Sequence, residues 1–269
     1  MARSSRIPSG SLVDFVDGLQ ARGRYTFTRE TATRAVGSSA VAMEAGLRRL
    51  KTRRRLASPR RGFHVIVPVE YREAGCPPAT WFIDELMRYL AQPYYVGLLS
   101  AASVHGAAHQ QPMVFQVVTD RPTRPARAGR VRISFHMSRS VESVQVAKVQ
   151  TETGTMRVST PEATAFDLVR FADAGGHLGN VATVLAELAE RLAPRTLVGV
   201  ASLYSVPDVQ RLGYLLDLVR ERELADALAQ WLAERRFRPV LLARGQAVRR
   251  AKPDPRWRVL PNAEVEADT

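Results

Sequence analysis

Apolar residues recur at helical spacing along the first fifty positions. Their three- and four-residue steps predict a first helix over about 11–21, a second over 28–36 and a third over 38–53. Residues 25–27 can form a short extended piece between the first two helices, and Gly37 supplies the turn before the third. The chain is therefore expected to begin with a small helical unit.

The third predicted helix separates apolar residues from cations. At 100° per residue one stripe is apolar and is expected to face the core: Ala40, Met43, Leu47 and Leu50. The opposite face combines small residues with cations: Ser38, Ala42, Ala45 and Arg49, with Arg48 beside them. Small residues at the N-terminal end let a helix approach the DNA major groove, and long cations farther along reach phosphates. This pattern is typical of a recognition helix.

Two short segments, 56–58 and 63–67, predict a β-hairpin around the turn 59–62. Arg60 and Arg61 lie at the tip of that turn. The order of helix, helix, turn, helix and basic hairpin is typical of a winged helix-turn-helix. The hairpin of such a unit contacts the sugar-phosphate backbone or the minor groove.

The residues expected to contact double-stranded DNA are the cations and small polar residues of these segments, together with two arginines of an N-terminal arm. They are Arg3, Arg6, Thr28, Arg29, Ser38, Ser39, Ala42, Arg48, Arg49, Arg53, Arg60 and Arg61. Sequence specificity is expected mainly from Ser38, Ser39 and Ala42, with Arg48 or Arg49. A solvated charged face is the alternative interpretation of the same arginines.

The rest of the chain mixes strands and helices. Residues 71–79 are predicted to be a connector, followed by helices near 81–90 and over 95–107. Strands are predicted at 113–119, 131–137, 144–150 and 156–159. Helices follow from Thr160, which is a good N-cap, and then at 178–192, 195–204, 207–219 and 222–235. The tail from Arg236 is expected to be only partly ordered.

These elements predict an α+β protein of two domains. The division is a winged helix-turn-helix over 1–70, the connector 71–79, and a larger α+β domain over 80–269 with a helical C-terminal part. The first of these carries most of the charge. Residues 1–62 contain 14 Lys and Arg against 4 Asp and Glu, so +10 of the net charge of +13 lies there. Charge concentrated in this way favours a polyanionic partner.

Composition excludes several classes of protein. With 45% hydrophobic and 24% charged residues, the chain has the composition of a globular protein. Its single cysteine, Cys76, excludes an internal disulfide and an all-thiolate zinc site. No apolar run approaches the roughly 20 residues that cross a bilayer, and the N-terminus lacks the apolar segment of a secretory signal. We therefore expect a cytoplasmic protein that does not bind membranes.

Patterns that would indicate an enzyme are weak. His105 and His109 are four positions apart, but Gly106 follows the first of them and no third metal ligand is evident. Glu142 and Lys148 are too widely spaced for the carboxylate–lysine pair of a metal-dependent nuclease. No nucleophile elbow and no phosphate-binding glycine loop occurs. The chain is therefore expected to have no catalytic activity, no metal and no cofactor.

Three segments, taken in order, resemble the AbiEi family of antitoxins from type IV toxin–antitoxin (abortive infection) systems. The basic hairpin 59–66 is similar to the end of that family's DNA-binding domain. The segment 94–106, YYVGLLSAASVHG, is similar to a family helix, and 159–168, STPEATAFDL, to a strand followed by a helix. The resemblance extends over about residues 8–235.

The resemblance implies a transcriptional repressor that binds inverted repeats in its own promoter. It also implies that the C-terminal domain opposes a nucleotidyltransferase-like toxin, by direct contact or indirectly. Two other functions stay open. One is a winged-helix regulator whose C-terminal domain senses a small ligand through Trp81, Phe82, Tyr94 and Tyr95, and the other is a nuclease fused to a DNA-binding module.

Overall fold

The computed structural model describes residues 10–107, 112–247 and 252–266, which fold into two compact units. The first unit contains the described chain up to Pro93, together with Arg124–Ser134 and Val149–Met156. The second contains Tyr94–Thr123, Phe135–Lys148 and the chain from Arg157 onward. The chain therefore returns twice to the first unit after leaving it.

The first unit begins with the elements that the periodicity predicts. They are α1 (Leu12–Gln20), β1 (Thr26–Thr28), α2 (Arg29–Val36), α3 (Ala40–Thr52), β2 (Leu56–Arg60) and β3 (Phe63–Ile66). Each helix starts at a polar cap, because a side-chain oxygen there accepts a hydrogen bond from an otherwise unsatisfied backbone N–H. Ser11 caps α1, Thr28 caps α2 and Ser39 caps α3.

β1, β3 and β2 form an antiparallel sheet in that order. Phe27 on β1 lies opposite His64 on β3, and Ala57 on β2 lies opposite Val65. The three helices bury their apolar stripes against one another and this sheet, in a core that includes Val16, Leu19, Phe27, Ala32, Met43, Leu47, Leu50, Leu56 and Ile66. Packing of these stripes, more than helix propensity, stabilises the unit.

The first unit continues with short 3₁₀ turns at Val69–Tyr71 and Ala79–Trp81, followed by α4 (Ile83–Tyr89). The predicted connector 71–79 thus lies within this unit. The unit also holds β6 (Ala126–Ala128), which pairs antiparallel with the first half of β7 (Val131–Met137). The two units are therefore built from alternating segments of the chain, whereas the predicted domains were the continuous ranges 1–70 and 80–269.

The second unit is built on a mixed sheet. Its further strands are β4 (Tyr94–Val96), β5 (Phe115–Thr119), the first half of β8 (Val146–Thr151) and the second half of β9 (Gly154–Ser159), in the order β7-β5-β4-β9-β8. β4 runs antiparallel to β5, with Tyr95 opposite Val118. It runs parallel to β9, with Val96 opposite Val158.

Helices provide the rest of the second unit: α5 (Leu98–Val104), α6 (Pro161–Arg170), α7 (Leu178–Ala189), α8 (Pro194–Ala201), α9 (Val206–Leu218) and α10 (Arg222–Ala233). Thr160 caps α6 and Pro161 occupies its first turn, as predicted. The sheet and helices share a core centred on α6, in which Ala163, Phe166 and Val169 are buried. The predicted α+β class is confirmed. No helix in the described ranges is both long and apolar enough to span a membrane.

One prediction about the second unit is wrong, and another underestimated the packing of the C-terminal segment. Residues 95–107 are not one helix, because β4 occupies their start and α5 begins only after Gly97. The tail from Arg236 is also better packed than expected in its described part. Its strands β10 (Val240–Leu241) and β11 (Val259–Leu260) pair in parallel, and Trp257 is 1% exposed.

Candidate nucleic-acid interface

The exposed surface of α3 carries three cations, Arg48, Arg49 and Lys51. Met43, Leu47 and Leu50 are at most 3% exposed and fix the orientation of the helix. The residues left in solvent are Ala40, Val41, Ala42, Glu44, Arg48, Arg49, Lys51 and Thr52. The prediction that Ala40 belongs to the buried stripe is therefore wrong, because the stripe begins one turn later at Met43. Arg48, Arg49 and Lys51 make no ion pair within the described part of the chain. Their charge is therefore available to an anionic partner.

The polar residues before α3 have structural roles. Ser39 accepts a hydrogen bond from the backbone N–H of Ala42 at 3.2 Å. Thr28 accepts one from the N–H of Thr31 at 3.1 Å. The hydroxyl of Ser38 is buried and has no hydrogen-bond partner among the described atoms. Of the small residues predicted to meet DNA, Ser39 and Ala42 are exposed and Ser38 is half-buried.

Arg29, at the start of α2, is paired with α3. Its Nη1 lies 3.5 Å from Oε2 of Glu44, and the two side chains are 41% and 50% exposed. The backbone N–H of Arg29 also donates to the carbonyl of Gly62 at 2.8 Å. These contacts hold the first turn of α2, the middle of α3 and the hairpin turn together.

A cleft of about 540 Å³ lies between α3 and the β2–β3 hairpin. It is lined by Arg29, Glu44, Lys51, Ser58, Arg60, Arg61, Gly62 and His64. Four of these side chains are cationic and one is anionic. The cleft therefore favours negatively charged groups.

His64 forms the floor of this cleft. It is 3% exposed, and its Nδ1 lies 2.7 Å from Oγ of Ser58, whereas Nε2 has no partner among the described atoms. Burial, followed by the charge of Lys51, lowers the pKa of His64 to about 4. The imidazole is therefore neutral at physiological pH, and the positive charge of the cleft comes from lysine and arginine.

The two arginines of the hairpin differ in their surroundings. The Arg60 guanidinium donates to the carbonyls of Arg124 and Pro125, at 3.0 Å for Pro125, and burial lowers its pKa. Arg61 is exposed, and its carbonyl accepts a hydrogen bond from the hydroxyl of Tyr89 at 2.9 Å. Arg60 therefore anchors the hairpin, whereas the side chain of Arg61 extends into solvent.

The structure places six of the predicted DNA contacts in the cleft or on the exposed surface of α3. Arg29, Arg60 and Arg61 line the cleft, and Arg48, Arg49 and Arg53 are exposed on α3 or at its end. Arg3 and Arg6 lie outside the described residues, as does His109. Sequence reasoning missed Val41, Glu44, Lys51, Ser58 and His64. Of these residues, Lys51 could have been found from its charge on the predicted recognition helix. The cleft could not, because it forms only where α3 and the β2–β3 hairpin come together.

The residues proposed for a metal site and for a ligand pocket have structural roles. His105 Nε2 donates to the carbonyl of Ser159 at 2.7 Å and so ties α5 to the end of β9. Tyr94, Tyr95 and Phe82 are at most 5% exposed and belong to the cores of their units. In the described ranges, no three His, Cys, Asp or Glu side chains are grouped as metal ligands.

The second unit contains a buried carboxyl group. Asp167 on α6 is fully buried, and the hydroxyl of Tyr204 donates to its Oδ1 at 3.0 Å. Burial raises the pKa of Asp167 to about 7, because the low-dielectric core disfavours the carboxylate. The same burial raises the pKa of Tyr95 and Tyr204. This cluster has the character of a core network and not of a solvent-facing site.

The substitution Asp167→Asn is expected to stabilise the protein at pH 8. A carboxyl whose pKa is about 7 in the folded state and 3.8 in the unfolded state binds more protons when folded, so stability falls as pH rises from about 4 to 7. The amide introduced by this substitution does not titrate, and we expect it to add on the order of 2 kcal/mol to the free energy of unfolding at pH 8. Urea unfolding at pH 4, 6 and 8 measures the effect.

The quantity to compare is the difference in the free energy of unfolding between the variant and the wild type at each pH. His64 titrates in the opposite sense over part of the same range, since its lowered pKa makes stability fall as pH decreases from about 6.5 toward 4. That contribution cancels in the difference. A difference that does not change with pH would contradict the raised pKa of Asp167.

Comparison with known proteins found one similar fold and one matching family model. A fold similar to the whole chain occurs in the crystal structure of the RV2827C protein from Mycobacterium tuberculosis, with a TM-score of 0.67 and 17% identity. That match covers 94% of this chain and 92% of the other, and at this identity it shows the fold alone. No curated protein sequence matches. The model of the AbiEi antitoxin C-terminal domain matches residues 95–218, from β4 to the end of α9. Residues 95–218 are therefore similar to the C-terminal domain of AbiEi antitoxins.

Proposed function

We propose that the first unit is a winged helix-turn-helix that binds double-stranded DNA in the promoter of its own gene. The observation that carries the proposal is the exposed cationic face of α3 beside the basic hairpin turn. Arg48, Arg49 and Lys51 lie on that face, and Arg61 extends from the turn next to it. In this arrangement α3 enters the major groove and the hairpin contacts the backbone beside it.

The proposed consequence of DNA binding is autorepression. The family resemblance predicts inverted repeats in the promoter, so each repeat would be occupied by one first unit. We assign the antitoxin function to the second unit, which contains most of the residues that match the family model. We propose that it counteracts a nucleotidyltransferase-like toxin, by direct contact or indirectly, and that neither role requires catalysis or a cofactor.

A salt-titrated gel shift with the full chain tests the DNA-binding proposal. The probes are the upstream region of the chain's own gene and a scrambled duplex of equal length and composition. We expect tight binding to the native duplex, with an affinity that falls steeply as salt increases because counterions are released from each contacted phosphate. Equal and weak binding to both duplexes would overturn the proposal.

Point substitutions are better suited than truncation to separating the two functions. The chain returns to the first unit at Arg124–Ser134 and Val149–Met156, so no single cut releases a complete second unit. The antitoxin proposal is tested by co-expressing the chain with a nucleotidyltransferase-like toxin from a type IV system. Growth inhibition that the chain does not relieve would contradict the assignment.

A further inference from the structure

Val41 lies at the centre of the exposed face of α3. It is 81% exposed, whereas Met43 and Leu47 on the same helix are 1% exposed. At 3.6 residues per turn, Val41 and Arg48 differ by about 20° around the helix axis, and both point away from the buried stripe. Val41 is in the first turn of the helix, and Arg48 lies two turns later.

The apolar side chain of Val41 does not contribute to the core of the unit. Valine is a weaker helix former than alanine, so its presence there costs helix stability without gaining burial. In a helix that enters the major groove by its N-terminal turn, this position lies against base edges. The apolar group on those edges is the 5-methyl of thymine.

Glu44 lies one turn after Val41 and is the anionic residue of the same face. A carboxylate beside Arg48 and Lys51 opposes binding to phosphate, but its ion pair with Arg29 at 3.5 Å offsets part of that repulsion and orients the side chain. Half of the Glu44 side chain is exposed. Its free lone pairs can accept a hydrogen bond from the exocyclic amino group of cytosine.

We infer that Val41 and Glu44 determine which base pairs the protein selects. Val41 contacts the 5-methyl of a thymine in the major groove, and Glu44, held by Arg29, accepts a hydrogen bond from the N4 amino group of a nearby cytosine. The inference rests on the proposed DNA-binding role of α3 and deepens it, since contacts between the cations and phosphates provide affinity without sequence information.

Thymine-to-uracil substitution tests the Val41 contact. Full-length wild-type protein first selects duplexes from a random library, and each thymine of the selected duplex is then replaced in turn by uracil, which removes only the methyl group. We expect one position at which uracil weakens wild-type binding about fourfold, the effect of one buried methyl group. At that position Val41→Ala should bind both duplexes equally. Val69→Ala, at an exposed valine outside α3, is the control and should retain the difference.

Glu44→Ala tests the contact between Glu44 and cytosine. The affinity for random-sequence duplex and the discrimination at cytosine should change in opposite directions. Removal of the carboxylate should strengthen binding to random-sequence duplex, because a repulsive charge is lost. It should also reduce discrimination at one cytosine of the selected duplex by about tenfold. Glu30→Ala removes a carboxylate that also pairs with an arginine, Arg34 at 2.8 Å, and serves as the matched control.

The outcomes separate this inference from the proposal on which it rests. If the wild type selects no sequence, the DNA-binding proposal fails and the inference fails with it. If the wild type selects a sequence and both variants keep the same preference at every position, the inference alone is overturned. Loss of the methyl effect in Val41→Ala and of cytosine discrimination in Glu44→Ala would support it.

Discussion

Simultaneous replacement of Arg48 and Arg49 with alanine is expected to weaken promoter binding about a hundredfold at 0.15 M salt. Both side chains are exposed on α3, and a hydrogen bond between charged groups contributes about 1.5–3 kcal/mol. Each lost phosphate contact should also lower the slope of log affinity against log salt by about one unit. Gel shifts at several salt concentrations measure both quantities.

The matched control removes the same charge from the second unit. Arg195 and Arg222 are exposed, at the starts of α8 and α10, and neither forms an ion pair among the described residues. Replacing both with alanine should leave the affinity and the salt slope nearly unchanged. If this control variant loses as much affinity as the Arg48 and Arg49 variant, binding depends on net charge and α3 is not the recognition helix. Thermal unfolding of both variants should match wild type, because all four side chains are exposed.

Local sequence signals predicted the elements of the first unit well. The turn at Gly37 and the buried residues Met43, Leu47 and Leu50 of α3 depend on neighbours within one or two helical turns, and local sequence patterns report such neighbours directly. The same holds for Thr160 and Pro161 at the start of α6. Helix orientation follows from these stripes, which is why the cations of α3 could be assigned to an exposed face.

Elements that depend on distant partners were predicted poorly. Periodicity alone does not distinguish a buried strand from a buried helix in a short apolar run such as 95–107. The strand at its start exists because Val96 pairs with Val158, and Tyr95 with Val118, which no local pattern reveals. The cleft beside α3 was missed for the same reason. It depends on the ion pair between Glu44 and Arg29, which joins two helices that local sequence patterns treat separately.

The order of the C-terminal segment also depends on a distant partner, the helix α9. Its proline and charge content favoured partial order, yet Trp257 is buried against α9. The indole Nε1 donates to Oδ2 of Asp217 at 2.6 Å, and Arg256 donates to both oxygens of that carboxylate at 3.1 Å. The indole fits there because Gly213 on α9 has no side chain. A Cβ at that position would overlap Cζ3 of Trp257.

Gly213→Ala is therefore expected to destabilise the second unit strongly. The added methyl group cannot coexist with the indole in its present position, so either Trp257 leaves its site or α9 shifts. Loss of a buried tryptophan from its site costs about 3–5 kcal/mol. For a domain of this size, that corresponds to a decrease in Tm of about 10 °C. Thermal unfolding measures the decrease, and co-expression with the toxin should show reduced neutralisation, because we assign the antitoxin function to this unit.

Gly199→Ala provides the matched control for this prediction. Gly199 lies on α8, and a Cβ built there has no heavy atom within 4 Å. Alanine is the better helix former, so this variant should be more stable than wild type by up to about 1 kcal/mol and should neutralise the toxin fully. The two substitutions make the same chemical change in neighbouring helices, and only Gly213 has Trp257 against it. Equal melting temperatures for the two variants would mean that Trp257 does not occupy this site in solution, and the C-terminal segment would then contribute nothing to the stability of the antitoxin unit.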